Sequence, residues 1–556
     1  MQTANFHHHS SWHRSFPIGL GWVLMLAILT AQAADPTAGQ AILGKVLEGL
    51  TVRSFSQKKA AVKNLVVVDH PRVLPVMKAL LEGDLYYRKI GRQILILRSQ
   101  GTGYAIYDAV TGESLDRGDK KGLSKIIINN QMRVILRDAI ARLSLASENA
   151  GVRLAAVEEM FDRLSSRDAE LLRDMRETER HPEVIEAIDT GLALEALNSG
   201  DENRRLAAVD TLSRSVNRTV RNRLKKLLGT SLDGSPREAS AKVRDAARKA
   251  LAAINQRLEM YAMVQTGFFG LSLGSVLLLS AIGLAITFGV MGVINMAHGE
   301  MMMLGAYTTY LVQQLMPGWI DASVIVAIPA AFVVSGLMGI AVERGVIRFL
   351  YGRPLETLLA TFGISLLLQQ LVRTLISAQN VAVENPTWMS GAWEVNAALF
   401  LTYNRLYILA FSLLVFAALF LILRQTDFGL QIRAVSQNRA MARAIGIRSS
   451  WVDAATFGLG SGIAGVAGVA LSQLTNVGPN LGQSYIIDSF MVVVFGGVGN
   501  LWGTLVGALG LGVANKLLEP WAGAVMAKIL VLVFIILFIQ KHPRGLFPQR
   551  GRSAED

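Results

Sequence analysis

Asn295, His298 and Glu300 lie within six residues of one another in "VINMAHGEMMMLGAYTTY" (residues 293–310), between stretches apolar enough to sit in a bilayer. An ionisable side chain in a transmembrane region costs at least about 2.5 kcal/mol, so such a group faces a cavity, a partner or the interface. Gly289 and Gly292 just upstream allow the helix to break and a short connection to turn. One reading is a discontinuous helix lining a transport route, with Asn295, His298 and Glu300 as hydrogen-bonding groups. The other is an interfacial turn in which His298 and Glu300 cap the next helix. A second polar group occurs in "LETLLATFGISLLLQQLVR", where Glu356, Thr357, Thr361 and Ser365 can share a helix face, with Gln369 and Gln370 a turn later. Uncharged amides and hydroxyls suit a small neutral polar solute, because they replace its water hydrogen bonds without trapping it electrostatically. The same groups could equally serve as glue between helices.

Positioning these residues requires membrane-spanning elements, and the composition supplies them. The 556 residues are 51% hydrophobic, but the apolar character is concentrated in the second half. From about residue 34 to 259 the text is charged and mixed. From Met260 onward, apolar stretches recur at the roughly 20-residue length a helix needs to cross hydrocarbon. Spans are predicted near 263–287, 300–316, 322–343, 355–377, 405–423, 452–473, 485–496, 503–518 and 524–540, the seventh too short to cross alone and paired with the eighth through a glycine-rich link. The glycines at 458, 460, 462, 465 and 468 point to close helix packing rather than ligand contact.

Loop charges give a direction. Arg344, Arg348 and Arg353, then Arg424, Arg433, Arg439, Arg443 and Arg448, then Lys541, Arg544, Arg550 and Arg552 cluster in alternate connections, while the opposing loops carry no Lys or Arg. The basic loops are therefore expected in the cytoplasm. The start of the chain, with His13 and Arg14, the apolar "FPIGLGWVLMLAILT" and small residues at Ala31 and Ala33, reads as a secretory leader over 1–33. The expected organisation is thus a leader, a periplasmic helical domain over 34–258, a transmembrane domain over 259–548 and a cytoplasmic tail over 549–556. The resulting fold class is an all-α polytopic membrane domain of about eight or nine spans, some broken, behind a mainly helical periplasmic domain.

Residues 34–260 show helical periodicity in "VLPVMKALLEG" and "MRVILRDAIARLSL", interrupted by an alternating, Gly-punctuated piece that predicts a small hairpin near 93–107. "VRLAAVEEM" (Val152), "RRLAAVDTL" (Arg204) and "KVRDAARKAL" (Lys242) repeat loosely at about 50 and 40 residues, a HEAT-like spacing that suggests an α-solenoid, with a plain helical bundle as the alternative. His70 and His181 each precede a proline and read as turn or surface residues. There is no cysteine, which removes disulfides, thiolate metal sites and cysteine nucleophiles. The net charge of +13 is interleaved with acids in the soluble half, so no basic face for nucleic acid is expected.

The loop "RQTDFGLQIRAVSQNRAMARAIGIRSS" (residues 424–450) offers a short amphipathic helix over about Ile432 to Ile445 ended by Gly446, too polar to span and too long for a simple turn. No G-x-x-x-x-G-K-[ST] run occurs, so any ATP hydrolysis must come from another chain.

"GVMGVINMAHGEMMMLGAYTTY", "FGLQIRAVSQNRAMARAIGI" and "VVVFGGVGNLWGTLVGALGLG", in that order and with the closing "HPRGLFPQR", resemble permease subunits of the branched-chain amino acid family of ABC importers over about residues 260–548. "YGRPLETLLATFGISLLLQQ" and the long segment ahead of the first span are similar to the urea branch of that family. The resemblance implies a non-enzymatic transport subunit in the bacterial inner membrane that binds no cofactor itself. It further implies a second permease chain, two cytoplasmic ATP-binding subunits and a periplasmic solute-binding protein. Arg433, Ala434, Gln437, Asn438, Arg443, Ala444 and Gly446 would form the coupling loop on an ATPase subunit. The expected substrate is urea or a short amide. Branched-chain amino acids are the first alternative, and an ATP-independent channel or carrier the second.

Overall fold

The computed structural model describes residues 36–547, apart from residues 53, 69, 101–102, 119 and 232–233. The expected leader and tail fall outside the described residues. The chain divides into two compact units, Met1–Asn198 and Ser199–Asp556.

The first unit opens with helices α1 (Pro36–Glu48), α2 (Phe55–Leu65) and α3 (Val73–Glu82). The expected hairpin is present as β2 (Ile94–Gln100) and β3 (Gly103–Asp108), but it is the centre of a larger sheet. With β1 (Leu85–Arg88), β4 (Ser114–Gly118) and β5 (Leu123–Lys125) it makes five antiparallel strands in the order β4-β3-β2-β1-β5. Strand alternation explains the sheet's two faces. Leu85, Ile94 and Ile96 join the helix residues Leu43, Leu47, Met77 and Leu80 in the core, while Tyr86, Leu95 and Leu97 form a small cluster on the other side. Gly112 and Gly122 take the left-handed φ of 82° and 81° that the two tight connections flanking β4 require.

Four helices complete this unit: α4 (Asn130–Ser144), α5 (Ala150–Met160), α6 (Ser166–Thr178) and α7 (Pro182–Ala196). Ser165 and Asp168 form a reciprocal capping box at the start of α6. His181 sits exposed as the N-cap of α7, and the His70 ring accepts from the Arg72 N–H in a turn, so neither histidine forms a site.

The repeated sequence units share one local geometry. In α5, Arg153 stands four residues after the cap Asn149. It clamps Glu179 with two bonds, Nε to Oε2 at 2.7 Å and Nη2 to Oε1 at 2.9 Å, while Nη1 reaches the Ser147 and Glu148 carbonyls. In the second unit, Arg205 of α8 (Glu202–Leu212) clamps Glu238 at 3.0 Å through both nitrogens and reaches the Ser199 carbonyl. Arg244 likewise reaches the Glu238 and Ala239 carbonyls. In each repeat the arginine satisfies carbonyls just ahead of its helix, which is why its position recurs.

The Arg153 bonds hold the Glu179 carboxyl at about 2, against an ordinary 4.5, with backbone N–H groups of His181 and Arg180 adding to the effect. A carboxyl depressed in the folded state contributes stability that is complete above pH 4.5 and is lost as pH falls toward 2. Hydrogen exchange of α5 and α6 amides, corrected for intrinsic rate, should therefore accelerate through that window. In Arg153→Gln the exchange should already be fast at neutral pH and its added acid dependence should flatten.

The second unit continues with α9 (Arg218–Leu227) and then α10 (Ala241–Met291), a 51-residue helix whose last part is the first expected span. The boundary expected at 258/259 falls inside this unbroken helix. The remaining elements are α11 (His298–Leu315), α12 (Ile320–Gly345), α13 (Pro354–Leu375), a two-stranded ribbon of β6 (Ala392–Asn396) and β7 (Leu399–Thr402), then α14 (Tyr403–Gln425), α15 (Asp427–Gln437), α16 (Arg439–Ala444), α17 (Ser449–Ser472), α18 (Leu481–Gly496) and α19 (Leu501–Lys541). Among the described residues, six helices are long and apolar enough to cross a membrane, and α18 is a shorter apolar helix. The eighth and ninth expected spans lie end to end in α19 and meet at a kink where Gly523, three residues after Pro520, leaves helical geometry, between the expected 503–518 and 524–540.

Helix α17 is the axle of this unit, and its glycines are the reason. A Cβ on Gly465 would overlap the Ala331 carbonyl and Ser335 side chain of α12, and one on Gly468 would overlap the Met302 carbonyl of α11. A Cβ on Gly460 would press on the Gly283 carbonyl of α10 at 2.7 Å. These glycines thus serve close helix packing, as their spacing suggested. Gly468→Leu should abolish accumulation of folded protein in membranes. Gly363→Leu on α13, where a Cβ meets nothing within 4 Å, should accumulate normally by quantitative immunoblot.

Candidate functional site

Helix α10 ends at Met291, with Gly292 in the left-handed region (φ 66°) and its N–H bonded to the Phe288 carbonyl. Residues 293–297 are non-helical, and α11 starts at His298. His298 Nε2 donates to the Ser280 carbonyl at 3.0 Å. Ser280 lies eleven residues before the end of α10, about 16 Å at 1.5 Å per residue. The non-helical segment therefore turns back along α10, and α11 begins beside the middle of the preceding span. That geometry is the discontinuous arrangement. Neither His298 nor Glu300 caps α11, whose N-cap Ala297 has no side-chain cap bond.

Helix α13 supplies the facing wall. Thr357, Thr361, Ser365 and Gln369 recur every four residues and all are buried, so they form one stripe. Thr361 Oγ1 accepts from the Met296 N–H at 3.1 Å and so holds the non-helical segment. Glu300 Oε1 accepts from Ser365 Oγ at 2.9 Å and from Gln369 Nε2 at 2.8 Å. Asn295 Oδ1 accepts from the Ala297 N–H at 3.0 Å. Asn295, His298 and Glu300 are each at most 1% exposed. Three atoms of this cluster have no hydrogen-bond partner among the described residues: Asn295 Nδ2, His298 Nδ1 and Glu300 Oε2. One buried donor, Asn295 Nδ2, and two buried acceptors, His298 Nδ1 and Glu300 Oε2, are thus left over for another molecule or another state.

Two expected site residues stand elsewhere. Glu356 is exposed and pairs with Arg353 at 3.1 Å, because it lies one position, about 100° of helix, off the buried stripe. Thr357 is on the stripe but donates to the Arg353 and Leu350 carbonyls at the helix start, so it closes a turn and does not reach the cluster. Ser280 and Ser489 were not expected. Their hydroxyls bond to each other, and the Ser280 hydroxyl also contacts Met302 Sδ, extending the polar strip to α18. Single serines in apolar spans carry no pattern that would single them out.

The basic loop is two helices, not one. Asn438 leaves helical geometry, and its side chain accepts from the Met441 N–H, which ends α15 and caps α16. Gly446 takes φ 96°, as its place after the helix required. Ile432, Val435, Ala442 and Val452 form a small core under both helices. Arg433 donates to the Leu423 carbonyl and Arg443 Nε to Ser449 Oγ at 2.7 Å, so these cations hold the loop together. Gln437, Asn438 and Ala444 remain exposed and Ala434 is partly buried. Met441 and Ile445, 61% and 69% exposed and one helical turn apart, form an apolar patch that counting charges did not reveal.

The second unit is therefore a polytopic helical membrane protein with a buried polar strip beside a broken helix and a protruding two-helix loop, the features of a transport subunit. Residues 267–539 match the family described as branched-chain amino acid transport system, permease component. The permease protein LivH of the high-affinity branched-chain amino acid transport system of Salmonella typhimurium is 31% identical over 51% of this chain and 94% of its own length. BraD, named likewise in Pseudomonas aeruginosa, is 29% identical over 52% of this chain and 96% of its own length. A probable branched-chain amino acid permease protein LivH of Methanocaldococcus jannaschii is 24% identical over 49% and 88%. The chain belongs to this family of permease components, and its first 266 residues lie outside the family match. No solved structure matches it.

Proposed function

We propose that this chain is the transmembrane subunit of an ATP-driven importer for urea or a short amide, moved by separate ATPase subunits and supplied by a solute-binding protein. The observation that carries the solute class is the leftover pair in the buried strip: Asn295 Nδ2 is a donor without an acceptor and Glu300 Oε2 an acceptor without a donor. Urea and amides present a carbonyl beside an NH₂ group, the complementary set. The flanking Ser365, Gln369 and Thr361 bring amides and hydroxyls to the strip, and the Arg373 guanidinium, one turn beyond Gln369 on the same helix, lies within electrostatic reach of Glu300. The basic loops support a cytoplasmic side for α15 and α16 and a periplasmic side for the first unit. The arginine clamps at Arg153, Arg205 and Arg244 suit HEAT-like helical repeats, and a surface of such repeats is suited to receive the binding protein. Transport itself leaves no chemistry for this chain, and no cofactor is assigned to it.

A second reading, import of branched-chain amino acids, is favoured by the names of the relatives. Reconstitution with candidate binding proteins separates the two. Urea-loaded binding protein should stimulate ATP hydrolysis and uptake; stimulation by a leucine-loaded protein alone would select the second reading. Uptake that persists without any ATPase subunit would defeat both.

A further inference from the structure

We propose that the Arg439–Asp453 pair is the joint through which the two-helix loop moves helix α17, so that both are positioning residues for transport. The inference rests on the reading of α15 and α16 as the ATPase-docking element, and it concerns what happens on the permease side of that contact. Arg439 is the first residue of α16, and Asp453 lies in the second turn of α17. Nη1 and Nη2 of Arg439 meet Oδ2 and Oδ1 of Asp453, both at 2.9 Å. The Asp453 side chain is 2% exposed and that of Arg439 29%.

A two-point guanidinium–carboxylate contact fixes orientation as well as distance. Opening one whose carboxylate is buried leaves an uncompensated charge, so the two helices move together rather than slide apart. The same guanidinium lies 4.5 Å from the ring centroid of Tyr351, just beyond the end of α12. Glu343, buried near the end of α12 and 3.6 Å from Arg344, is within electrostatic reach of both Asp453 and Arg439. One arginine on a surface loop thus touches the bases of two spans. Ser449 and Val452 add a hydrogen bond and an apolar contact to the same end of α17.

What the joint grips is also distinctive. The glycine contacts of α17 with α10, α11 and α12 leave it no room to deform, so displacement at its base is passed on to all three helices. Two of them carry His298, Glu300 and Ser280. A surface ion pair that only decorated the loop would require neither the burial of Asp453 nor a connection to this axle.

The test uses the intact importer in proteoliposomes, with ATP hydrolysis and solute accumulation measured on the same samples. Asp453→Asn and Arg439→Lys should keep their ATPase subunits through purification and hydrolyse ATP within about twofold of the unaltered complex. Solute moved per ATP should fall about tenfold in Asp453→Asn and less in Arg439→Lys, which keeps charge but not the two-point contact. The exchange Arg439→Asp with Asp453→Arg should recover a large part of the lost ratio. An unchanged ratio in both single variants overturns the proposal. So does loss of the ATPase subunits from both, which would show that the pair merely shapes the docking surface. Failure of the underlying functional reading would appear in the unaltered complex, as accumulation without ATP.

Discussion

Glu300→Gln should leave the protein folded and assembled yet lower solute uptake by about 5- to 100-fold, the range expected for leaving a buried hydrogen-bonding group of the solute unpaired at about 1–3 kcal/mol. A glutamine can still offer its Oε1 to Ser365 Oγ and Gln369 Nε2, so the two bonds seen on Glu300 Oε1 survive. What changes is the other atom. The unpartnered Oε2 becomes an NH₂ group, so at that position the strip presents a spare donor where it had a spare acceptor. Glu300→Leu serves as the contrast. It removes the acceptor that Ser365 and Gln369 share and leaves them only their 3.3 Å bond to each other, with each lost bond worth about 0.6–2 kcal/mol by the behaviour of polar pairs in membranes. It should reduce the amount of assembled protein as well as its activity. Uptake assays normalised to copurified complex distinguish the two effects, and normal uptake by Glu300→Gln would remove Glu300 from the route.

The second large effect is expected at the loop. Met441→Glu with Ile445→Glu should release the ATPase subunits, detectable as their loss from affinity-purified complex and as abolished uptake. Both side chains are more than half exposed, so the substitutions leave the core of Ile432, Val435, Ala442 and Val452 intact. Burying two such side chains against a partner is worth about 1.5–3 kcal/mol each, so their replacement by charges weakens association by two orders of magnitude or more. Arg433→Gln removes a loop-internal bond to the Leu423 carbonyl instead and should loosen association less. A double Glu variant that keeps its ATPase subunits would exclude this face as the docking surface.

Sequence reasoning placed the elements well where a period was long and a polar residue sat in apolar surroundings. The four-residue recurrence of Thr357, Thr361, Ser365 and Gln369 is a face readable from spacing alone, and Asn295, His298 and Glu300 were conspicuous because hydrocarbon excludes them. Glu356 misled because a helical stripe tolerates no slip of one residue, and its neighbour Arg353 gave it a solvent-side partner. Ser280 and Ser489 were invisible because their bond spans 209 residues of sequence. The outer strands β4 and β5 are short and half polar, so only the hairpin between them announced itself. The break at Asn438 could have been anticipated from a good cap residue inside a supposed helix.

The unbroken helix α10 has a mechanical consequence. Its 51 residues amount to about 76 Å of rod. Tilting such a rod by about five degrees swings its far end by about 7 Å, while the turn at Gly292 barely shifts. Helices α8 and α9, seated on that outer end, would register each cycle of the membrane half like the pointer of a gauge.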